Sequence, residues 1–227
     1  MSTLLLSGWA QPADALASLA EDPVLFDYSE YTPAAAIAAL AKLKPTHVVG
    51  WSLGGQLAMR AMTTGAIAPR HLTVLAAPQQ FVSDDMALPG MGSTTYRLFR
   101  DSYTKDPART KTRFHGLIAK GDVRERQIRE LLRHHPNVEE IDRWLPWLEE
   151  LETYSLPIAM LASAPPILII HGMNDAIVPF AQSEHLVRQL PNATLNSWEG
   201  VGHAPHQHDA ERARREIAAH RAKHGVA

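Results

Sequence analysis

Residues 46–51 form a β-branched, apolar run that ends in Gly50-Trp51-Ser52-Leu53-Gly54 and passes at once into a helical pattern with Leu57, Ala58 and Ala61 on one face. This junction constrains the chain more than any other feature. A buried strand that turns sharply into a helix leaves no room for a Cβ two residues either side of the turn, and it strains the backbone of the central residue. Such a turn stands at the carboxyl end of a parallel sheet. It exposes the serine hydroxyl there and sets a helix N-terminus beneath it, where developing negative charge is favoured. The same letters also describe a small-residue turn with a buried serine. What separates the two is whether the rest of a catalytic apparatus arrives at the same sheet end.

The flanking pattern supplies a sheet. Residues 3–6, 23–28, 46–51, 72–76, 167–170 and 194–198 read as strands, and 33–42, 53–63, 182–189 and 209–223 as helices. Alternation of this kind predicts an α/β fold, with a mostly parallel sheet flanked by helices. It is interrupted between about residues 84 and 164, where the sequence turns charged and helical. Helical patterns cover 103–119 and 123–133, and Ile141, Trp144, Leu145 and Leu148 follow at helical spacing, with Pro146 expected to split that run in two. The expected organisation is a catalytic core of residues 1–83 and 165–227 with a helical lid insertion of 84–164. A chain of 227 residues with 45% hydrophobic side chains suits one domain with a full-sized core.

A serine hydroxyl needs a base. After the run 167–170 comes His171-Gly172-Met173-Asn174-Asp175, and after the last strand Gly200-Val201-Gly202-His203. Asp175 and His203 therefore fall in turns at the sheet end that carries Ser52, in the chain order serine, acid, histidine. Asp175 also reads as an ordinary turn aspartate. His203, His206 and His208 have the spacing of metal ligands, but no carboxylate or cysteine spacing joins them, so no metal is expected. The oxyanion donors expected are the backbone N–H groups of Leu53 and of Trp9, the latter in the Ser7-Gly8-Trp9 loop after the first strand. The reaction class is acyl transfer to water through an acyl-serine intermediate. There is no G-x-G-x-x-G and no phosphate-loop lysine, so no cofactor is expected.

The absence of cysteine removes disulfides and thiolate chemistry and fits a reducing, cytoplasmic setting. The apolar start at Leu4-Leu5-Leu6 is too short for a signal peptide, and no run approaches the roughly 18–20 apolar residues of a membrane span. A net charge of −2 argues against a general nucleic-acid binder. That figure hides a segment, residues 97–133, with eleven lysines and arginines against five acids. Such a patch either steers an acidic partner or forms a solvated face, and the acidic stretch 139–152 is placed to neutralise it. Phe114, Trp144, Trp147 and Leu148 either line an acyl channel or pack lid on core. Trp9 and Trp51 complete the expected pocket. Nothing in the pattern demands an oligomer, and a monomer is expected.

Taken together, the motifs resemble the α/β-hydrolase superfamily, through Gly50 to Gly54, His171-Gly172 to Asp175, and His203. More narrowly the chain is similar to the pimeloyl-acyl-carrier-protein methyl ester esterases of biotin synthesis. That similarity rests on Gly50-Trp51-Ser52-Leu53-Gly54-Gly55, Gly8-Trp9, His203-Ala204-Pro205, Arg109-Thr110-Lys111-Thr112-Arg113-Phe114 and residues 147–156. The resemblance implies a triad of Ser52, Asp175 and His203, and oxyanion donors Trp9 and Leu53. It implies demethylation of a pimeloyl chain held on an acyl carrier protein. It also implies that Arg109 and Arg113, with Arg126 and Arg129 more loosely, contact that carrier. Ser7 stands where the family's histidine precedes the oxyanion glycine. The sheet lacks the family's early strands, and residues 9–52 are compressed. The alternatives are a general short-chain carboxylesterase or carbon–carbon bond hydrolase on the same triad, and a non-catalytic partner-binding protein of the same fold.

Overall fold

The computed structural model describes residues 2–133 and 141–226, with only the backbone given for Ile141. Six parallel strands form one sheet: β1 (Thr3–Leu6), β2 (Val24–Leu25), β3 (His47–Trp51), β4 (His71–Leu75), β5 (Ile167–Gly172) and β6 (Ala193–Trp198), in the order β2-β1-β3-β4-β5-β6. β1, β3, β4 and β5 are buried along their whole length, which requires cover on both faces. The order reverses between β1 and β3. Loops leaving those two strands diverge there and open a crevice at their carboxyl ends, the usual place for a ligand in such sheets.

The helices of the core follow from local signals. α1 (Pro33–Leu43) has Pro33 in its first turn and Thr32 as N-cap, whose hydroxyl accepts from the Ala35 N–H at 3.3 Å. α2 (Leu53–Thr63) starts directly at Ser52. Between β4 and β5 lie α3 (Ser93–Lys105), α4 (Pro107–Ala119), α5 (Glu125–Arg133) and α6 (Ile141–Thr153). The chain closes with α7 (Ala181–Gln189), the short α8 (Pro205–His208) and α9 (Ala210–Lys223). Buried residues of α3–α6, among them Tyr96, Tyr103, Phe114, Ile118, Trp144 and Leu148, belong to the same hydrophobic cluster as the strands.

Three local expectations are corrected. The strand expected over 23–28 is only two residues long. Asp27 breaks it by accepting the Ser29 N–H at 3.1 Å and starting a 3₁₀ turn at Tyr28–Glu30. The helical pattern of 103–119 is two helices, because Asp106 leaves helical geometry and caps α4 just before Pro107. Pro146, expected to split its run, lies inside a continuous α6. An interior proline costs about 3 kcal/mol. Burial of Trp144, Trp147, Leu148 and Leu151 on the same helix, each contributing about 1.5–3 kcal/mol, offsets it.

At the amino ends of the strands, His47 and His71 are register partners on β3 and β4, and His71 Nε2 lies 2.8 Å from His220 Nδ1 on α9. Burial pushes His71 down to about 3 and His47 and His220 down to about 4; Arg221 and Arg70 beside His47, His220 beside His71, and His224 and Lys223 beside His220 add to the effect. All three are neutral in the fold and would hold protons in the unfolded chain below about 6.5. Their contribution to stability is therefore complete above pH 6.5 and is lost as the pH falls from there towards 4. His71→Gln keeps a partner for His220 but does not titrate. In urea melts between pH 6.5 and 4 it should lose stability less steeply than the parent chain, by about 1 kcal/mol per pH unit. Parallel slopes would refute this account of the cluster.

Candidate active site

Ser52 closes β3 and opens α2 with φ 54° and ψ −121°, a left-handed conformation that a residue with a Cβ adopts only under constraint. The constraint is visible. The Ser52 N–H donates to the Leu75 carbonyl at 2.8 Å, and the Ser52 carbonyl accepts from the Gln56 N–H at 3.0 Å. The two flanking glycines allow the turn: a Cβ on Gly50 would lie 2.6 Å from the Gly55 Cα, and one on Gly54 2.1 Å from the Leu6 carbonyl oxygen.

The loops after β5 and β6 bring Asp175 and His203 to this turn. His203 Nε2 lies 2.9 Å from Ser52 Oγ, and His203 Nδ1 lies 2.7 Å from Asp175 Oδ2. Trp51, expected to line a pocket, stands behind the imidazole instead, its Nε1–H donating to the His203 carbonyl at 2.8 Å. The Asp175 carboxylate is fully buried. Its Oδ1 accepts the N–H groups of Ile177 at 2.8 Å and Val178 at 3.0 Å. Burial alone would raise its pKa, but His203 and His171 together hold it well below the usual carboxylate range.

His171 carries a role that reading its motif did not supply. Its Nε2 faces two acceptors, Asp175 Oδ2 at 2.9 Å and the Val178 carbonyl at 3.1 Å, so that nitrogen bears the proton. Its Nδ1 then accepts from the Ser183 hydroxyl at 2.6 Å. His206 stacks edge-on against Trp51 with ring centroids 4.4 Å apart, and His208 turns to Asp122 at 2.8 Å. The three histidines of the metal-like spacing thus face three different ways. No group of three or more metal-ligating side chains occurs among the described residues.

On the other side of Ser52, Gly8 to Gln11 form a turn closed by the Gln11 N–H on the Gly8 carbonyl at 3.2 Å, with Ala10 at φ 54°. Ser7, which replaces the expected histidine, donates from its hydroxyl to the Gln11 carbonyl at 3.3 Å. Its own carbonyl accepts from the Tyr28 hydroxyl at 2.7 Å, so Tyr28 anchors the compressed loop from behind.

An apolar cavity of about 10 Å³ lies over Ser52, walled by Trp9, Leu53, Phe81, Phe99, Phe114 and Leu148, with Pro78 and Leu151 completing it. Trp9 and Phe114 of the expected pocket are present; Trp144 and Trp147 are not. Trp144 sits behind Trp9, whose Nε1–H donates to its carbonyl at 3.1 Å, and Trp147 packs edge-on against Tyr28 at 4.7 Å. They join α6 to the core. Phe81, Phe99 and Leu151 escaped the sequence reading, although Leu151 stands one helical turn beyond Leu148. A roomier cavity of about 330 Å³ lies at the opposite, amino ends of the strands, beside His47 and His71.

A family model described as the alpha/beta hydrolase family matches residues 4–217. Among curated proteins, the pimeloyl-acyl-carrier-protein methyl ester esterase of Aromatoleum aromaticum is 32% identical over 168 residues, or 70% of this chain; the chain spans 66% of that relative's length. The protein of the same name from Methylococcus capsulatus is 31% identical over 201 residues, covering 86% of this chain and 77% of its own. Among solved structures, an esterase from Exiguobacterium antarcticum superposes with a TM-score of 0.75 at 16% identity, covering 96% of this chain and 91% of its own. No helix among the described residues is long and apolar enough to cross a membrane.

Proposed function

The chain belongs to the alpha/beta hydrolase family, and from that membership and the geometry around Ser52 we propose that it is a serine carboxylesterase that hydrolyses the methyl ester of a pimeloyl chain held on an acyl carrier protein, a step of biotin synthesis. The observation that carries the chemistry is the continuous relay from Ser52 Oγ through His203 to Asp175, at 2.9 and 2.7 Å, beside an apolar cavity.

In this reading Ser52 Oγ attacks the ester carbonyl carbon while His203 Nε2 takes the hydroxyl proton. The charge on the carbonyl oxygen is met by the backbone N–H groups of Trp9 and Leu53. Neither has an acceptor within the chain among the described residues. The tetrahedral intermediate collapses, the carbon–methoxy bond breaks, and His203 gives its proton to the departing methanol. Water, activated by the same nitrogen, then releases the acid and restores the serine. Asp175 holds the His203 tautomer and stabilises the imidazolium; its two backbone donors and His171 keep it ionised.

Helices α3–α6, residues 84–164 with their flanks, act as the lid. The space over Ser52 is narrow and lies between Trp9 and Phe99, Phe114, Leu148 and Leu151 of α3, α4 and α6, so in this reading these helices part from Trp9 to admit the acyl chain. The same narrow space favours a second reading, a short-chain esterase. Growth separates the two: the gene should rescue a biotin auxotroph that lacks its methyl ester esterase, and a short-chain esterase would not.

Carrier docking is assigned to the outer face of the lid. Arg109 and Arg113 are exposed one turn apart on α4. With Arg126 on α5, they have no carboxylate within ion-pair distance among the described residues. Arg129 is paired with Glu125 at 3.5 Å. Among the described residues the acidic stretch pairs with one arginine of the segment 97–133, Arg100, through Glu152, and with Arg60 outside it through Glu150, and it leaves Arg109, Arg113 and Arg126 aside; Glu139 and Glu140 lie outside the described residues. Double reversal, Arg109→Glu with Arg113→Glu, should lower kcat/KM on a carrier-bound ester by about tenfold or more at low salt and leave a free short ester within about twofold. Equal losses on both would mean that the two arginines serve the fold.

A further inference from the structure

The turn joining α4 to α5, residues 120–124, touches both loops that carry the acid and the base. Asn174, which precedes Asp175, donates from Nδ2 to the Gly121 carbonyl at 3.0 Å. The Val123 N–H donates to the Gly200 carbonyl at 2.8 Å, and the His203 N–H donates to the Ile118 carbonyl at 3.3 Å. At the centre is Asp122, whose carboxylate is fully buried. Its Oδ2 accepts the N–H of Gly202 at 3.0 Å, and its Oδ1 accepts the N–H of Arg124 at 2.7 Å and His208 Nδ1–H at 2.8 Å. Arg124 in turn donates to the His208 carbonyl at 2.5 Å.

We propose that Asp122 is a positioning residue for His203, so that the lid, besides covering the acyl site, holds the general base in place. This rests on the reading of Ser52, His203 and Asp175 as the catalytic groups. A carboxylate is taken out of water only at a cost, and the cost is recovered only when its lone pairs are satisfied. The local turn before α5 needs only the bond from the Arg124 N–H two residues on, an Asx turn. The two further bonds cross to residues on both sides of His203, one from the N–H of Gly202 immediately before it and one from the side chain of His208 five positions after it. They fix loop 200–208 at its two ends. His203 Nε2 stands at 2.9 Å from Ser52 Oγ, where a displacement of about 1 Å lowers a rate by about 10²-fold. Without Asp122 the Gly202 N–H is buried with no acceptor, and the loop can meet that need only by moving.

The test compares Asp122→Ala, Asp122→Asn and His208→Ala with the parent chain and with His203→Ala, on a soluble short-chain nitrophenyl ester. kcat and KM are expressed per folded molecule, as measured by size exclusion and circular dichroism. Asp122→Ala should lower kcat by about 30- to 100-fold with KM within about threefold. Asp122→Asn, which keeps an acceptor for Gly202, should recover to within about fivefold of the parent. His208→Ala removes one of the two cross-loop bonds and should cost about three- to tenfold; it serves as the deciding variant if Asp122→Ala does not fold. A kcat per folded molecule within twofold of the parent in the deciding variant overturns the proposal, as does Asp122→Asn being no better than Asp122→Ala. Activity retained by His203→Ala would instead overturn the catalytic reading on which the proposal stands.

Discussion

Ser52→Ala should leave a folded protein that no longer turns over esters. Removing the nucleophile of a serine–histidine–acid relay lowers kcat by roughly 10⁶-fold, because what remains is binding and oxyanion stabilisation without covalent chemistry. The fold should tolerate the change. Among the described residues Ser52 Oγ makes one hydrogen bond, to His203 at 2.9 Å, worth about 1 kcal/mol net, and alanine meets the φ of 54° with the same Cβ that serine carries. The melting temperature should therefore move by only a few degrees. A fluorophosphonate probe should label the parent at Ser52 and leave the variant unmodified. Labelling that persists in the variant, or ester turnover within a factor of ten of the parent, would place the nucleophile elsewhere.

Gly54→Ala should be the most damaging single substitution in the turn, although it adds only a methyl group. Its Cβ would sit 2.1 Å from the Leu6 carbonyl oxygen and 2.4 Å from that of Ser7. Neither atom belongs to a side chain that can swing away; both are backbone at the end of β1, and Tyr28 holds the Ser7 carbonyl from the far side. Relief requires α2 to separate from β1, a cost of about 3 kcal/mol or more. The separation also carries the Ser7-Gly8-Trp9 loop away from Ser52, and with it one proposed oxyanion donor. Loss of one such donor lowers kcat by about 10²–10³-fold. Urea unfolding and single-turnover kinetics should thus both register the change. A variant with parent-like stability and rate would mean that the close approach of Gly54 to β1 is not what shapes the site.

The parts of this molecule that were legible in the sequence are those set by steric rules over a few residues. The β-branched run before Gly50 and the glycines around Ser52 specify a strand, a tight turn and a helix. The order of the later strands then places Asp175 and His203 at the same sheet end. The parallel α/β class follows from the same alternation. What was not legible depends on distant contacts. Trp144 and Trp147 have the spacing of either a channel wall or a packing face, and only the positions of Trp9 and Tyr28 decide for packing. Val24, Leu25 and Phe26 are apolar enough for a strand, but β2 pairs only on one side and stops at the Asp27 turn. Glu150 and Glu152 could neutralise any of the lid arginines, and the sequence does not reveal that they reach Arg60 and Arg100. Asp122 meets Gly202 across 80 residues of chain, a distance over which no spacing rule operates.

The most direct test of the central claim is the mass of the carrier itself. Acyl carrier protein bearing a pimeloyl methyl ester is incubated with the enzyme at low salt, and its mass is followed together with methanol release. The carrier should lose one methylene unit, with one methanol formed per acyl chain and the thioester to the carrier left intact. Ser52→Ala should abolish the reaction, and the Arg109 and Arg113 reversals should slow it. A carrier that keeps its methyl ester, while the same preparation hydrolyses free short esters, would contradict the account and leave a short-chain esterase in its place.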